Sequence, residues 1–329
     1  MKVYPLYKKW KSLRDVSKYP ISYYNFWDGQ TADQIWFTEY LRDRGFFEKY
    51  PHIHFSFFST LGKVEILRMD EWMNLFRRNQ KRIFFTGENV HYDAFKPYQH
   101  NLLDHKSIDI SLGFDNISDD RYVRFPLWLL EMFPARASVE LLKQRCDGYS
   151  YQKYDDRARF CAMVAGGGSN LLSSHLVMRK EMVEALSNIA KVDCAGRFLH
   201  NTDDLQVKFN DNKRQFLTQY KFYICPENIS VENYVTEKVF HSITSGCIPI
   251  YYGALNNPEP EVLNHDAIIF WNHDGNNTAA VKKVEELWND PKLYKEFFEQ
   301  PRLQPHAWEA IADFFSEFDK KLNEICSRR

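Results

Sequence analysis

Hydrogen-bonding and charged side chains are concentrated in one stretch of the chain, between Phe222 and Gly253. Glu237 could accept hydrogen bonds from two vicinal hydroxyls, such as those of a ribose, and Lys238 beside it is a point charge suited to a phosphate. Three neutral side chains in the same stretch add donors and acceptors: Asn228, Ser230 and Tyr234. The combination predicts a site for a nucleotide with a phosphorylated sugar. A polar loop with an ordinary charged surface is the alternative, and spacing alone does not decide between the two.

The elements that would position these side chains follow a strand–loop–helix–strand order. Phe222–Cys225 is predicted to be a strand, and Thr236 is predicted to be the N-cap of a helix that ends at Gly246. Cys247–Tyr252 is predicted to be a buried strand. In such a unit the loop and the helix N-terminus lie at the carboxyl ends of the strands, where open α/β sheets bind ligands. The helix N-terminus would add free N–H groups and a positive dipole.

Three motifs together resemble the α1,3/4-fucosyltransferases, the inverting enzymes of glycosyltransferase family 10 that use GDP-fucose. Glu227–Lys238 reads EN-x5-YVTEK and is followed by an apolar helix and GCIPIYYG. Phe85–Asn89 is similar to the family's F/Y-T-G-E-N element. Ser111–Asp115, followed by Asp120–Leu127, is similar to its G-F-D…R-Y-x-R-x-P-L segment. The motifs occur in the family's order, and the soluble bacterial members, such as those of Helicobacter, are the most similar.

The resemblance implies an inverting α-1,3-fucosyltransferase. Such an enzyme moves L-fucose from GDP-β-L-fucose to the 3-hydroxyl of GlcNAc in N-acetyllactosamine-type acceptors and makes a Lewis x-type product. Inversion needs one in-line displacement with a single general base. One alternative is another GT-B glycosyltransferase that uses a nucleotide sugar. The other, a non-catalytic carbohydrate-binding protein, explains the aromatic content of 16% but gives no reason for the ENISVENYVTEK loop.

Glu88 is the candidate general base. It follows the predicted strand Arg82–Phe85, where a loop can present its carboxylate, and the resemblance makes the Glu of the T-G-E-N element the proposed base. Without the motif, an exposed or ion-paired loop Glu would be the default interpretation. Asp115 is the second candidate on the acceptor side, although it could equally cap the turn that begins at Asn116. Arg124 is a further acceptor-side candidate that could instead form a structural ion pair.

The negative charge on the departing GDP requires a cation or a helix N-terminus. The resemblance places a phosphate-binding Arg shortly after the strand that corresponds to Val192–Ala195. Arg197 lies close to that position, but an ungapped reading puts His200 there. The sequence contains no Asp-x-Asp pair. We therefore predict that no metal or cofactor is required and that Mn²⁺ or Mg²⁺ at most stimulates the reaction.

Strands and helices alternate in both halves of the chain, which predicts an α/β fold. The first half has predicted strands at four places: Ile21–Phe26, His52–Phe58, Arg82–Phe85 and Lys106–Gly113. Asp147–Asp156 is polar and is a candidate linker. Gly166–Gly168 is a weak phosphate signal that fits a flexible surface turn equally well. Two Rossmann-like domains facing across a cleft are predicted, the GT-B architecture that the resemblance also implies.

Three segments follow from this division. Residues 1–153 form a predicted acceptor-binding domain, and residues 154–307 form a predicted GDP-fucose-binding domain. Residues 308–329 include an amphipathic helix that is predicted to pack back on the first domain. The oligomeric state is not predicted by any pattern in the sequence.

Composition excludes some classes of protein. A net charge of −1 argues against nucleic acid as the main partner, and no window approaches 18 consecutive apolar residues, so no transmembrane segment is expected. The six cysteines show no C-x-x-C spacing, and most lie in or beside apolar runs, as free structural thiols do. The N-terminal residues lack the apolar core of a signal peptide. We therefore expect a cytoplasmic protein, with peripheral attachment to the inner membrane left open.

Overall fold

The computed structural model describes residues 10–26, 31–74, 79–166 and 174–328. Two compact units form, one from Met1–Glu140 with Ile311–Arg329 and the other from Leu141–Ala310. Each unit contains one sheet whose strands are mostly or entirely parallel, which confirms the predicted α/β class. Gly167 and Gly168 of the predicted glycine-rich turn lie outside the described residues.

The first unit is built on a six-stranded sheet in the order β1-β2-β3-β4-β5-β6. Its strands are β1 Arg14–Val16, β2 Ile21–Tyr24, β3 His54–Phe58, β4 Gln80–Phe85, β5 Ile110–Gly113 and β6 Tyr122–Arg124. β1 is antiparallel to β2, and the other neighbours are parallel. Phe85 pairs with Leu112, so the loops that follow β4 and β5 leave the sheet at the same edge.

Helices of the first unit are described between residues 31 and 140. They are α1 Trp36–Asp43, α2 Phe46–Lys49, α3 Glu65–Met73, the 3₁₀ segment Asp93–Leu102 and α4 Trp128–Met132. α1 begins only at Trp36, because residues 32–34 form a turn. That turn is closed by the Thr38 hydroxyl, which donates to the carbonyl oxygen of Ala32 at 2.7 Å.

The second unit carries a five-stranded, fully parallel sheet in the order β11-β10-β9-β7-β8. Its strands are β7 Arg159–Met163, β8 Val192–Cys194, β9 Tyr220–Ile224, β10 Ile248–Tyr251 and β11 Ile269–Phe270. Every residue of β8, β9 and β10 is buried. Parallel sheets are covered on both faces, which explains why these strands read as continuous apolar runs rather than as alternating patterns.

Helices cover the second sheet. They are α5 Val139–Ser150, α6 Ser174–Ser187, α7 Asp204–Val207, α8 Lys213–Leu217, α9 Glu237–Thr244, α10 Thr278–Asn289 and α11 Pro291–Phe298. Residues of α6, α10 and α11 pack with the strands in one apolar cluster that includes Met182, Val284 and Phe298.

The first part of the predicted linker is wrong. Residues 147–150 form the last turn of α5, and the polar composition misled the prediction because Ser150 is bonded inside the unit. Ser150 is buried, its carbonyl oxygen accepts from the Arg302 N–H at 3.1 Å, and its hydroxyl oxygen accepts from the Leu303 N–H at 3.3 Å. The units accordingly divide at 140/141 and 310/311, whereas the predicted boundaries are 153/154 and 307/308.

The last helix, α12, spans Ala307–Ser327, and its residues from Ile311 onward belong to the first unit. It packs on α1 through aromatic rings and a polar cluster. Phe318 is fully buried against the ring of Tyr40, and the Tyr40 hydroxyl donates to Asp319 Oδ1 at 2.8 Å. Arg44 Nε donates to both carboxylate oxygens of Asp319 at 2.9 Å. These contacts join the C-terminal residues to the first unit.

Candidate functional site

A fully buried carboxylate organises the loop after β9. Glu227 has no exposed surface, and its oxygens accept from the Thr236 backbone N–H at 2.8 Å, the Thr236 hydroxyl at 2.7 Å and Lys238 Nζ at 2.8 Å. Its own N–H donates to the carbonyl oxygen of Tyr252 just beyond β10. Glu227 therefore closes the loop between residues 227 and 236 and ties it to the neighbouring strand.

Thr236 occupies the N-cap position of α9, as predicted, but it does not cap the helix. Its hydroxyl is directed to Glu227, and the Thr236 side chain forms no cap bond to the N–H groups of α9. The predicted cap interaction is therefore wrong, because the buried carboxylate competes successfully for the hydroxyl. The N-terminus of α9 keeps N–H groups and a positive dipole that can meet an anion.

Lys238 is a cation with a partner already in place. Its side chain is only 20% exposed and forms an ion pair with Glu227. Burial favours the neutral amine, but the carboxylates of Glu227 and Glu237 outweigh that effect and raise the pKa of Lys238 above its ordinary value. The predicted phosphate ligand is thus charged at neutral pH, and Glu227 holds it in one position.

Glu237, in the first turn of α9, is a carboxylate at neutral pH. Burial favours its protonated form, but Lys238 and Lys213 outweigh burial and hold the pKa of Glu237 below its ordinary value. Lys213 Nζ also lies 3.2 Å from His241 Nδ1. Burial, and then the charge of Lys213, lower the pKa of His241 to about 3, so this imidazole is neutral and accepts from the ammonium group.

The other predicted residues of the loop have structural partners. Asn228 Oδ1 accepts from Arg179 Nη2 at 2.8 Å, and Ser230 Oγ accepts from the Leu255 N–H at 3.0 Å. Tyr234 is buried. The structure therefore brings Asn228, Ser230 and Tyr234 into the same loop as Glu237 and Lys238, but their side chains also hold the loop in shape.

Arg179, on α6, is a residue that the sequence analysis missed. It is 6% exposed, and its Nε is buried without a hydrogen-bond partner among the described residues. Burial lowers its pKa, and the nearby Tyr223 and Glu227 oppose that shift. The available signal was its place in the second turn of a helix that starts at the carboxyl end of β7. A buried guanidinium with an unused donor, bonded to the same loop, is suited to an anion.

Arg197 and His200 follow β8, the edge strand, which β7 separates from β9. Arg197 is exposed. His200 bonds through both ring nitrogens, Nδ1 to the carbonyl oxygen of Gly196 at 3.0 Å and Nε2 to Asp203 Oδ1 at 2.9 Å. Asp203 and the Gly196 carbonyl raise the pKa of His200. Both ring nitrogens of His200 are thus occupied by neighbouring residues of the chain.

A second polar group lies in the first unit, after β4 and β5. Glu88 is partly exposed, and its backbone N–H donates to the Thr86 hydroxyl oxygen at 3.0 Å. There is little room for a side chain at Gly87 in this turn, because an added Cβ would lie 2.9 Å from Leu127 Cδ2. The pairing of β4 with β5 brings the Glu88 turn and Asp115 to one edge of the sheet.

The two remaining acceptor-side candidates are held by local contacts. Asp115 accepts from His91 Nε2 and from Asn101 Nδ2, each at 2.8 Å, rather than capping the turn at Asn116. Arg124 Nε donates to the carbonyl oxygen of Phe114 at 3.0 Å, and its guanidinium lies 5.2 Å from the ring centre of Phe314. Arg124 therefore stabilises the loop that carries Asp115.

The cysteines, potential metal ligands and helix hydropathy bear on the expectations from the sequence. All six cysteines are buried and free, and burial raises the pKa of the Cys161 thiol well above its ordinary value. In the described ranges, no three His, Cys, Asp or Glu side chains converge as metal ligands do. No helix in those ranges has the length and apolar character needed to span a bilayer.

Comparison with known families and proteins gives consistent matches. Residues 161–327 match the C-terminal domain of glycosyltransferase family 10 (fucosyltransferase), and residues 21–131 match the N-terminal domain of alpha-(1,3)-fucosyltransferase FucT. Alpha-(1,3)-fucosyltransferase FucT of Helicobacter pylori is 32% identical over 251 residues, which cover 68% of this chain and 48% of that protein.

Other relatives match over shorter regions. Alpha-(1,4)-fucosyltransferase of Arabidopsis thaliana is 31% identical over 40% of this chain and 31% of its own length. GDP-fucose protein O-fucosyltransferase 3 of Xenopus tropicalis is 34% identical over 37% of this chain and 27% of its own length. The chain thus spans about half, or less, of the length of these curated relatives.

A solved structure confirms the fold. The crystal structure of an alpha1,3-fucosyltransferase superposes with a TM-score of 0.54 and 23% identity, over 82% of this chain and 78% of that one. The two family matches together cover both units of the structure. The chain therefore belongs to glycosyltransferase family 10, the fucosyltransferases.

Proposed function

We propose that the chain is an inverting α-1,3-fucosyltransferase that moves L-fucose from GDP-β-L-fucose to the 3-hydroxyl of GlcNAc. The acceptor is an N-acetyllactosamine-type oligosaccharide, and the product is of the Lewis x type. The observation that carries the proposal is the arrangement around Glu227, which fixes a charged lysine beside a helix N-terminus that the Thr236 side chain does not cap. The family membership supplies the reaction class.

The donor site is assigned to the second unit. Lys238, Arg179 and the N-terminus of α9 meet the diphosphate, whose charge grows as the bond to fucose breaks. Glu237 accepts from the ribose hydroxyls, in keeping with its lowered pKa. Arg179 replaces Arg197 as the favoured diphosphate arginine, because Arg179 is bonded to Asn228 in the donor loop and has an unused N–H donor.

GDP-fucose is the donor that the related proteins support. The fold is shared with an alpha1,3-fucosyltransferase structure with GDP-fucose, at a TM-score of 0.50 and 23% identity. The Xenopus relative also carries GDP-fucose in its name. The named linkages of the relatives differ, since they include α1,3, α1,4 and protein O-fucosylation. The names of the relatives therefore support GDP-fucose as the donor more strongly than they support any one acceptor.

Glu88 is assigned as the general base that takes the proton from the acceptor hydroxyl. Its carboxylate is partly exposed at the carboxyl end of β4, on a turn that Gly87 and Thr86 hold in place. Asp115 accepts from His91 and Asn101, and these two bonds give it a structural task in the loop after β5.

Thermal denaturation in the presence of GDP, UDP or GDP-fucose tests the donor assignment. A ligand that binds only the folded chain raises its melting temperature. We expect GDP and GDP-fucose, but not UDP, to do so. Stabilisation by UDP would favour another nucleotide-sugar transferase, and no response to any nucleotide would favour a carbohydrate-binding protein without transferase activity. An acceptor panel of type 1 and type 2 oligosaccharides and peptides, with linkage analysis, then identifies the acceptor.

A further inference from the structure

The turn after β4 presents an imidazole next to the proposed base. His91 lies three residues after Glu88, and its side chain is 50% exposed. Nε2 of this ring is 2.8 Å from Asp115 Oδ1. A carboxylate can only accept, so Nε2 carries a proton, and Nδ1 of the neutral ring is left as a hydrogen-bond acceptor. Nδ1 has no hydrogen-bond partner within the part of the chain that the structure describes.

Asp115 is in turn held by a fully buried amide. Asn101 Nδ2 donates to Asp115 Oδ2 at 2.8 Å, and the backbone carbonyl oxygen of Asn101 accepts from the Ser111 hydroxyl at 2.7 Å. Asn101 has no exposed surface. The bonds therefore run from the interior of the unit, through Asn101 and Asp115, to one exposed ring.

The backbone that places Asn101 is strained. His100, Asn101 and Leu102 have φ angles of 53°, 53° and 55°, three consecutive left-handed residues that are not glycine. This conformation costs roughly 1–2 kcal/mol per residue for L-amino acids. Such strain persists where surrounding contacts impose it, and it is often found at functional sites.

An exposed aromatic residue follows His91 in the chain. Tyr92 is 53% exposed, although large rings are usually covered. A pyranose presents hydroxyls at its edges and C–H groups on its faces, so a fixed hydrogen-bond acceptor next to an open ring matches the chemistry of a sugar.

We propose that His91 is a contact residue for the acceptor sugar, with Asp115 and Asn101 as its positioning residues. Nδ1 accepts a hydrogen bond from a hydroxyl of the acceptor, and the bond to Asp115 fixes the orientation of the ring. The inference deepens the proposed function and rests on it, since it presupposes that an oligosaccharide is the acceptor. It also gives Asp115 a role other than that of a second base.

Steady-state kinetics with N-acetyllactosamine and GDP-fucose test the role of His91. We expect His91→Ala to raise the acceptor KM about tenfold, the loss of roughly one hydrogen bond, with the KM for GDP-fucose and the melting temperature unchanged. His91→Gln should stay close to the wild type, because its amide can donate to Asp115 and accept from the hydroxyl. His52→Ala, at another exposed histidine of the same unit, is the control.

A double-mutant cycle tests the role of Asp115. Asp115→Asn should raise the acceptor KM in the wild-type background but add little in the His91→Ala background, because Asp115 acts through the ring. Full additivity would overturn the positioning role, and an unchanged acceptor KM in His91→Ala would overturn the contact itself. Normal transfer by the wild type separates these results from failure of the proposed function, which would show no transfer and overturn both.

Discussion

At the scale of single residues, Glu88 carries the proposed proton transfer. Glu88→Gln keeps the size and most of the hydrogen bonding of the side chain but removes the base. We expect turnover to fall by about a hundredfold or more, as is usual when a general base is lost. Affinity for GDP-fucose, measured by calorimetry, should change little. Near-normal turnover in this variant would mean that Glu88 is not the base.

Substitutions at Arg179 and Arg197 are expected to affect the Kd for GDP differently. Removal of the buried guanidinium in Arg179→Ala should weaken GDP binding at least about tenfold, which corresponds to roughly 1.4 kcal/mol. Arg197→Ala, at the exposed side chain after β8, serves as the matched control and should leave the Kd for GDP within about twofold of the wild type. Isothermal titration of GDP into both variants decides the assignment. A larger loss of GDP affinity in Arg197→Ala than in Arg179→Ala would show that Arg197 is the diphosphate ligand.

Arg179 also shows where sequence reasoning reaches its limit. The motif residues from Asn228 to Lys238 are close in the chain, so their grouping in one loop was predictable. The partner of Asn228 lies 49 residues earlier, on a helix whose packing depends on the whole sheet. The strain at residues 100–102, which holds Asn101 on Asp115, is likewise a tertiary effect that local preferences do not indicate.

At the scale of elements, the ion pair between Lys238 and Glu227 joins α9 to the end of β9. Lys238→Met should therefore have two effects, because it removes a diphosphate ligand and leaves a buried carboxylate without its partner. Loss of one member of a buried pair costs about 3–5 kcal/mol. We expect a clear fall in the free energy of unfolding together with weaker GDP binding.

The double variant Lys238→Met with Glu227→Gln separates the two effects. The neutral amide no longer leaves a buried charge, so much of the lost stability should return while GDP binding stays weak. Chemical denaturation and nucleotide titration on both variants provide the measurement. If the double variant is as unstable as Lys238→Met, the buried charge is not the cause of the instability.

His241, in the second turn of α9, makes stability depend on pH. Its folded-state pKa is about 3, below the ordinary value of 6.5, because burial and the charges of Lys213, Arg214 and Lys238 outweigh Glu237. The unfolded chain therefore binds the extra proton first, and the contribution to stability is lost as pH falls from about 6.5 toward 3. Between pH 7 and pH 5 we expect a loss of roughly 1–2 kcal/mol from this group.

His241→Gln supplies the comparison, since the amide can still accept from Lys213 but does not titrate. Its free energy of unfolding should fall less than that of the wild type over the same pH range, as measured by urea denaturation. Glu237 contributes little to the change between pH 7 and pH 5, because a carboxyl group with a lowered pKa changes the free energy of unfolding at lower pH. Equal pH dependence in both proteins would contradict a neutral, buried His241.

At the scale of the whole molecule, the alternation of strands and helices was the predictable part of the fold. The fully buried strands β9 and β10 lie close to their predicted positions, because a covered parallel sheet requires continuous apolar runs. The unit boundary was harder to predict. The end of α5 is polar in sequence, yet Ser150 is buried and bonded to residues 302 and 303, more than 150 positions later in the chain.

Metal independence is a prediction for the whole protein. The sequence has no Asp-x-Asp pair, and the proposal assigns the diphosphate charge to Lys238, Arg179 and the N-terminus of α9. We expect substantial transfer after exhaustive treatment with EDTA, with only modest stimulation by Mn²⁺ or Mg²⁺. Complete loss of turnover in EDTA that one equivalent of a divalent ion restores would contradict metal independence. That result would show that carboxylates of the protein bind a metal.

Transfer of labelled fucose is the most direct test of the central claim. The purified chain is incubated with GDP-β-L-fucose and N-acetyllactosamine, and the product is examined by mass spectrometry and by NMR of the anomeric proton and its linkage. The account predicts one added fucose, joined in the α configuration to the 3-hydroxyl of GlcNAc, with loss of the product in Glu88→Gln. A β-linked fucoside would contradict the inverting mechanism, and the absence of transfer to any member of the acceptor panel would contradict the proposed activity.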